Sequence, residues 1–224
     1  MLSLSSVAQI PDTLSGAAAT LIGLVALAVV APIAGWQFIR HGSTMAHEGS
    51  HAVFGSLAGR KIGGIELNPD ATGGTFVPPG GCLGNLFVGF AGYVGPSLFG
   101  LGAAWAIHLG YSESLLWVAL FLLVVLAFML RRSYGMITVV VVGALVYLVG
   151  HYGPPGVQIV AAYFLTWLLL LSGVRRVLEV GPQSSDGAEL SELTWIPRLI
   201  WWLLWLAATL GAVALGGKML VMPS

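Results

Sequence analysis

Long apolar runs dominate this chain. Six of them read as membrane-spanning helices, over residues 18–39, 83–109, 114–130, 134–150, 157–174 and 196–217. A seventh segment, 43–58, is shorter and more polar. Its pattern fits a helix that crosses the bilayer or one that enters part way. Residues 60–81 break the apolar pattern with Gly and Pro. There, 61–67 reads as a strand, 68–74 (Asn-Pro-Asp-Ala-Thr-Gly-Gly) as turn chemistry, and 75–77 as a returning strand ended by Pro78-Pro79-Gly80-Gly81. The expected fold is therefore an all-α polytopic membrane protein of about six to seven helices, with one short β-hairpin.

Composition supports this class. Of 224 residues, 57% are hydrophobic and 8% charged, against about 25% charged in soluble domains. No polar stretch is long enough for a second domain, so residues 1–224 read as one integral membrane domain. The first twenty residues lack a basic start, so no cleavable signal peptide is expected. A net charge of zero gives no reason to expect nucleic acid as a partner. The single Cys82 excludes an internal disulfide and a cysteine-based zinc site. Arg131-Arg132 and Arg175-Arg176 lie in loops two helices apart, which places both on one side, expected to be cytoplasmic. Arg40 and Arg60-Lys61 flank segment 43–58 at both ends. If both ends are cytoplasmic, that segment is re-entrant.

Inside that segment stands His47-Glu48-Gly49-Ser50-His51, an H-E-x-x-H pattern. On a helix, positions i and i+4 share a face, so the two imidazoles can grip one metal ion. Glu48, next to the first ligand, can reach a water on that metal. Three polar residues in an apolar helix are costly and default to a functional reading. A catalytic zinc site needs a third protein ligand and an open position. No His follows His51 before His108, which excludes the metzincin pattern. Asp186, in Gly181-Pro182-Gln183-Ser184-Ser185-Asp186-Gly187, is the first candidate; Ser184 or Ser185 can cap a short helix starting there. Asp70, in the hairpin turn, is the second. Cys82 and His151 trail behind. With zinc in place, Glu48 would act as general base in hydrolysing an amide bond within or near the membrane. The rival readings are a metal-binding membrane protein without activity, in a binding or transport role, and a hydrolase of another type on the same metal.

Several other features have simpler readings. Gly92, Gly95 and Gly100, with Ala91, make a small-residue face suited to close helix packing. Segment 43–58, with Gly49, Gly55 and nearby Gly59, is its expected partner. Pro96 is expected to kink the same helix. Strand 62–67 offers an edge to an extended substrate by β-augmentation, or is a plain connector. Asn85 reads as a capping or interhelical residue more readily than a substrate contact. Trp195, Trp201, Trp202 and Trp205 suit an aromatic belt, and His108 and His151 the interface. Arg175, Arg176 and Arg198 read as anchors.

The motif residues Ala46-His47-Glu48-Gly49-Ser50-His51-Ala52-Val53 resemble the site-2 protease (M50) family of intramembrane zinc metalloproteases, and most closely its compact bacterial M50B-like branch. Gly59-Arg60-Lys61-Ile62, Ala91-Gly92-Tyr93-Val94-Gly95-Pro96, Ser185-Asp186-Gly187-Ala188-Glu189-Leu190 and Leu193-Thr194-Trp195-Ile196-Pro197 extend the resemblance over most of the chain. It implies zinc held by His47, His51 and Asp186, with Glu48 as base. Asp186-Gly187 keeps the Asp-Gly pair of better-known members, with Ser185 where they carry Leu. No PDZ or CBS regulatory segment is present. The resemblance further implies a transmembrane segment of another membrane protein as substrate, regulated intramembrane proteolysis as the setting, and a multi-pass place in a bacterial cell membrane.

Overall fold

The apolar run at 18–39 does not form one helix. In the computed structural model, which describes residues 13–131 and 133–222, it breaks at Ala31-Pro32. Helix α1 (Gly16–Val30) and helix α2 (Ile33–Leu57) meet there at 99°. The cause is local: Pro32 has no N–H to donate and its ring clashes with the preceding turn, so it serves as the extended residue before α2. Gly42 costs only about 1 kcal/mol in a helix, and α2 runs through it. The H-E-x-x-H residues thus sit on a 25-residue helix, longer than segment 43–58.

The remaining helices follow the apolar pattern closely. They are α3 (Cys82–His108), α4 (Ser112–Met129), α5 (Ser133–Tyr152), α6 (Pro155–Val180) and α8 (Arg198–Val221). All five are long and apolar enough to cross a membrane, and α1 with α2 passes the same test as one bent pair. The chain is a multi-pass membrane protein. A short helix α7 (Ser185–Thr194) precedes α8, entered through a 3-10 turn at Gly181–Gln183. Arg132 lies outside the described residues.

Helix α3 is the hub and packs against α2, α6 and α8. Its small-residue face explains this. At Gly100 an added Cβ would lie 2.7 Å from the Leu170 backbone of α6, and at Gly95 it would collide with the Ser50 side chain of α2. The expected partner of this face was therefore the right helix but the wrong residues. Among the α2 glycines, an added Cβ at Gly49 meets nothing within 4 Å, while Gly55 faces Ile62 and Val77 of the hairpin region.

The hairpin consists of β1 (Ile65–Leu67) and β2 (Gly73–Thr75), antiparallel, pairing Ile65 with Thr75 and Leu67 with Gly73. Gly73 and Gly74 lie in the returning strand, where turn chemistry was expected. Glycine is required at Gly73 because a Cβ there would come within 2.9 Å of Glu48 Cγ and 3.0 Å of Thr44 Cγ2. β1 offers no open edge at Ile65: that residue bridges Leu130, and the Arg131 N–H donates to its carbonyl at 2.9 Å. At that residue the edge of strand 62–67 is therefore closed to a substrate.

The aromatic-belt reading also needs correction. Trp201 and Trp205 are buried in a cluster with Tyr93, Val94, Val177 and Leu190. The indole N–H groups donate within the protein, Trp205 to Phe90 O at 3.0 Å, Trp202 to Val177 O at 2.8 Å and Trp201 to Thr194 Oγ1 at 3.3 Å. Of the four, Trp195 alone is almost fully exposed, at 93%. Asn85 Oδ1 accepts from the Gly80 N–H at 3.2 Å, which ties the segment before α3 to its first turns.

Candidate metal centre

Helix α2 presents His47 and His51 one turn apart on a buried face, 5% and 8% exposed. Their Nε2 atoms lie 3.2 Å apart. The third partner comes from α7. Ser184 caps this helix by accepting from the Gly187 N–H at 3.1 Å. The cap fixes the first turn and directs Asp186 inward, with Oδ2 3.4 Å from His47 Nε2 and 3.3 Å from His51 Nε2. Asp70 is elsewhere. It is exposed in the hairpin turn, bound by the Thr72 hydroxyl at 2.6 Å and the Thr72 N–H at 3.0 Å. These bonds hold its carboxyl below the usual carboxylate range. Cys82 is exposed at the start of α3, and His151 stacks on Tyr147 in α5.

Three features of this trio suit a metal ion of zinc's size and chemistry. The first is distance: four-coordinate zinc with bonds of about 2.0–2.1 Å sets neighbouring ligand atoms about 3.3 Å apart, and the three separations are 3.2, 3.3 and 3.4 Å. The second is the proton on His51. Its Nδ1 lies 2.8 Å from the Val88 carbonyl, which can only accept, so Nδ1 carries the proton and Nε2 offers its lone pair to the centre. The third is Asp186 Oδ2, a buried carboxylate oxygen that faces both imidazole Nε2 atoms. Such a buried grouping of nitrogen lone pairs and a carboxylate oxygen calls for a proton or a cation among them. Among the described residues, no other group of three His, Cys, Asp or Glu side chains converges in this way.

Glu48 lies beside the trio, 5% exposed. Its carboxylate is fastened by a residue that the sequence pattern did not single out. The Thr75 hydroxyl of β2 lies 2.8 Å from Glu48 Oε2 and 3.0 Å from its backbone carbonyl. One turn earlier, the Thr44 hydroxyl donates to Ala71 O at 2.7 Å and pins the hairpin to α2. The only sequence signal for this was a glycine pair where strand residues should be.

The opposite wall is α3. A Cβ at Gly92 would stand 2.7 Å from His47 Cε1 and 2.6 Å from His51 Cε1, closer than such atoms approach. The Tyr93 ring packs edge-on to His47, centroids 4.6 Å apart, and tilted on Trp205 at 4.6 Å. Gly92→Ala is expected to weaken zinc binding at least tenfold, in line with losses from disturbed outer-shell contacts. Gly102→Ala, where an added methyl meets nothing within 4 Å, is expected to leave it unchanged. Competition against a chromogenic chelator measures both.

Beside the trio, a cleft of about 400 Å³ opens between α3 and α7, lined by Asn85, Gly89, Glu189, Leu190, Glu192 and Leu193. Glu189 is one turn beyond Asp186. Partial burial and the field of Asp186 push its carboxyl above the usual range.

The family model described as Peptidase M50B-like matches residues 20–216, most of the chain and every residue of the trio. No curated protein and no solved structure matches.

Proposed function

The chain belongs to the Peptidase M50B-like family, and from that premise we propose that it is an intramembrane zinc endopeptidase. The single observation that carries this reading is the convergence of His47, His51 and Asp186 to separations that suit zinc, with Glu48 held alongside. Zinc bound there would polarise a peptide carbonyl and acidify water at neutral pH. The chain's own residues supply the rest. Glu48 takes up a proton on its carboxylate and returns it to the leaving amine. Thr75 keeps that carboxylate from swinging away. The Val88 carbonyl and the Gly92 backbone fix the imidazoles, so little reorganisation is needed. The proposed substrate is a transmembrane or membrane-proximal segment of another membrane protein in a bacterial cell membrane. Its backbone would approach through the α3–α7 cleft or along the β2 edge, where extended main chain can pair.

Purified protein in proteoliposomes, given a panel of single-span reporter segments, is expected to cleave at least one of them within its membrane or juxtamembrane region. Cleavage should stop with a zinc chelator and return when zinc is restored. A zinc-loaded protein inert toward every reporter, and a cell-based reporter screen that likewise yields no zinc-dependent cut, would instead favour the metal-binding role without hydrolysis.

A further inference from the structure

A second buried polar site lies where α2 meets the last turns of α6. Trp36, Arg40 and Ser43 follow one another at helical spacing on α2. Arg175, Arg176 and Glu179 stand on α6. Direct contacts tie the two helices together here. Arg40 and Arg176 both reach Glu179, at 3.8 and 3.3 Å, and the Arg175 guanidinium lies 5.4 Å from the Trp36 ring centroid. Three cations thus stand at this junction with one acid, Glu179, which two of them reach. The exposed Asp70, already bound by Thr72, adds a weaker field at Arg40. The cluster stays net positive.

The hydrogen-bonding inventory points the same way. Trp36 Nε1, Arg40 Nε, Arg176 Nε and Ser43 Oγ are all buried, and none has a partner among the described residues. Trp36 and Ser43 are 2% and 1% exposed. Each of these four groups can donate, and three can do nothing else. Four unsatisfied donors beside an excess of guanidinium charge call for an oxyanion. Depth narrows its source. Arg175 is about twenty residues past the start of α6, or about 30 Å along the axis at 1.5 Å per residue, the thickness of the hydrocarbon core. The guanidinium groups therefore lie at the level of lipid headgroups, where basic pockets between helices hold anionic lipids.

We propose that the α2–α6 junction binds a phosphate-type oxyanion through Arg40, Arg176, Trp36 and Ser43, with Arg175 over the Trp36 ring. A lipid headgroup is the source its depth favours and soluble phosphate is the other. Because α2 also carries His47 and His51, the bound anion would brace the helix that holds the metal ligands. The site stands independently of the hydrolytic reading.

Native mass spectrometry of the full chain, presented with equal phosphatidylglycerol and phosphatidylcholine of matched acyl chains, tests this. Wild type is expected to retain one phosphatidylglycerol about tenfold in preference. Arg40→Gln with Arg176→Gln should bring the two lipids to parity, while Arg40→Lys keeps most of the preference. Ser43→Ala and Trp36→Phe remove one donor each without changing charge, and each should lower retention severalfold even if the double variant misfolds. Retention that survives millimolar inorganic phosphate identifies the lipid as the source. Binding of inorganic phosphate in place of lipid, lost in the same variants, supports the site with a soluble source. Equal retention of both lipids with no phosphate binding, or a preference unchanged in all four variants, would overturn the proposal.

Discussion

Replacing Glu48 with Gln is expected to lower reporter cleavage by about a thousandfold while leaving zinc content unchanged. General acid–base catalysis typically contributes 10²–10⁴-fold, and Glu48 is a carboxylate fastened beside the trio without belonging to it. The amide of Gln keeps the size of the side chain and can still accept from the Thr75 hydroxyl, so the fold around β2 should survive. What is lost is a site for the proton. The same variant separates the two readings of this chain. A site used only for binding needs the histidines and Asp186 but not this carboxylate, and Glu48→Gln would then leave the biological role intact. Parallel measurements of bound zinc and of cleavage rate on one preparation settle the matter.

Much of this arrangement was legible in the sequence, for identifiable reasons. A span of about twenty apolar residues has few alternatives in a bilayer, so α3, α4, α5, α6 and α8 fall close to their expected positions. The i, i+4 histidines share a face by helix geometry alone. Ser184 or Ser185 before Asp186 signalled a capped helix, and α7 begins there with Ser184 as the cap. The boundary between α1 and α2 was harder. Pro32 and Gly42 lie ten residues apart in one apolar stretch, and the pattern of apolar positions does not show which ends a helix; proline sterics do. Tryptophans in an apolar run suit a lipid interface or a core equally well. Only packing against Tyr93 and Val177 buried Trp201 and Trp205. Thr75 was out of reach because its role depends on how the hairpin folds back over α2, a contact 27 residues away in sequence. The glycine of β2 that permits this approach looked like turn chemistry until its neighbour Glu48 was known.

The second large effect concerns Asp186, and it rests on the same geometry. Removing one of the three proposed ligands leaves two histidines one turn apart, a pair that also occurs on helices with no metal. Asp186→Ala is therefore expected to reduce zinc to less than about a tenth of an equivalent per chain after dialysis against a weak chelator. Asp70→Ala should leave zinc unaffected, because Asp70 is turned to solvent and held by Thr72 within its own turn. Asp186→Ala should also remain folded. The cap on α7 comes from Ser184 rather than from Asp186, and the apolar contacts of Leu190 with Trp205 and Tyr93 persist.

Metal analysis of purified wild type, Asp186→Ala and Asp70→Ala by inductively coupled plasma mass spectrometry tests the central claim most directly. The account predicts near one zinc per chain in wild type and in Asp70→Ala, and almost none in Asp186→Ala. Full zinc in Asp186→Ala, or a wild type that takes up no zinc even after reloading, would contradict it.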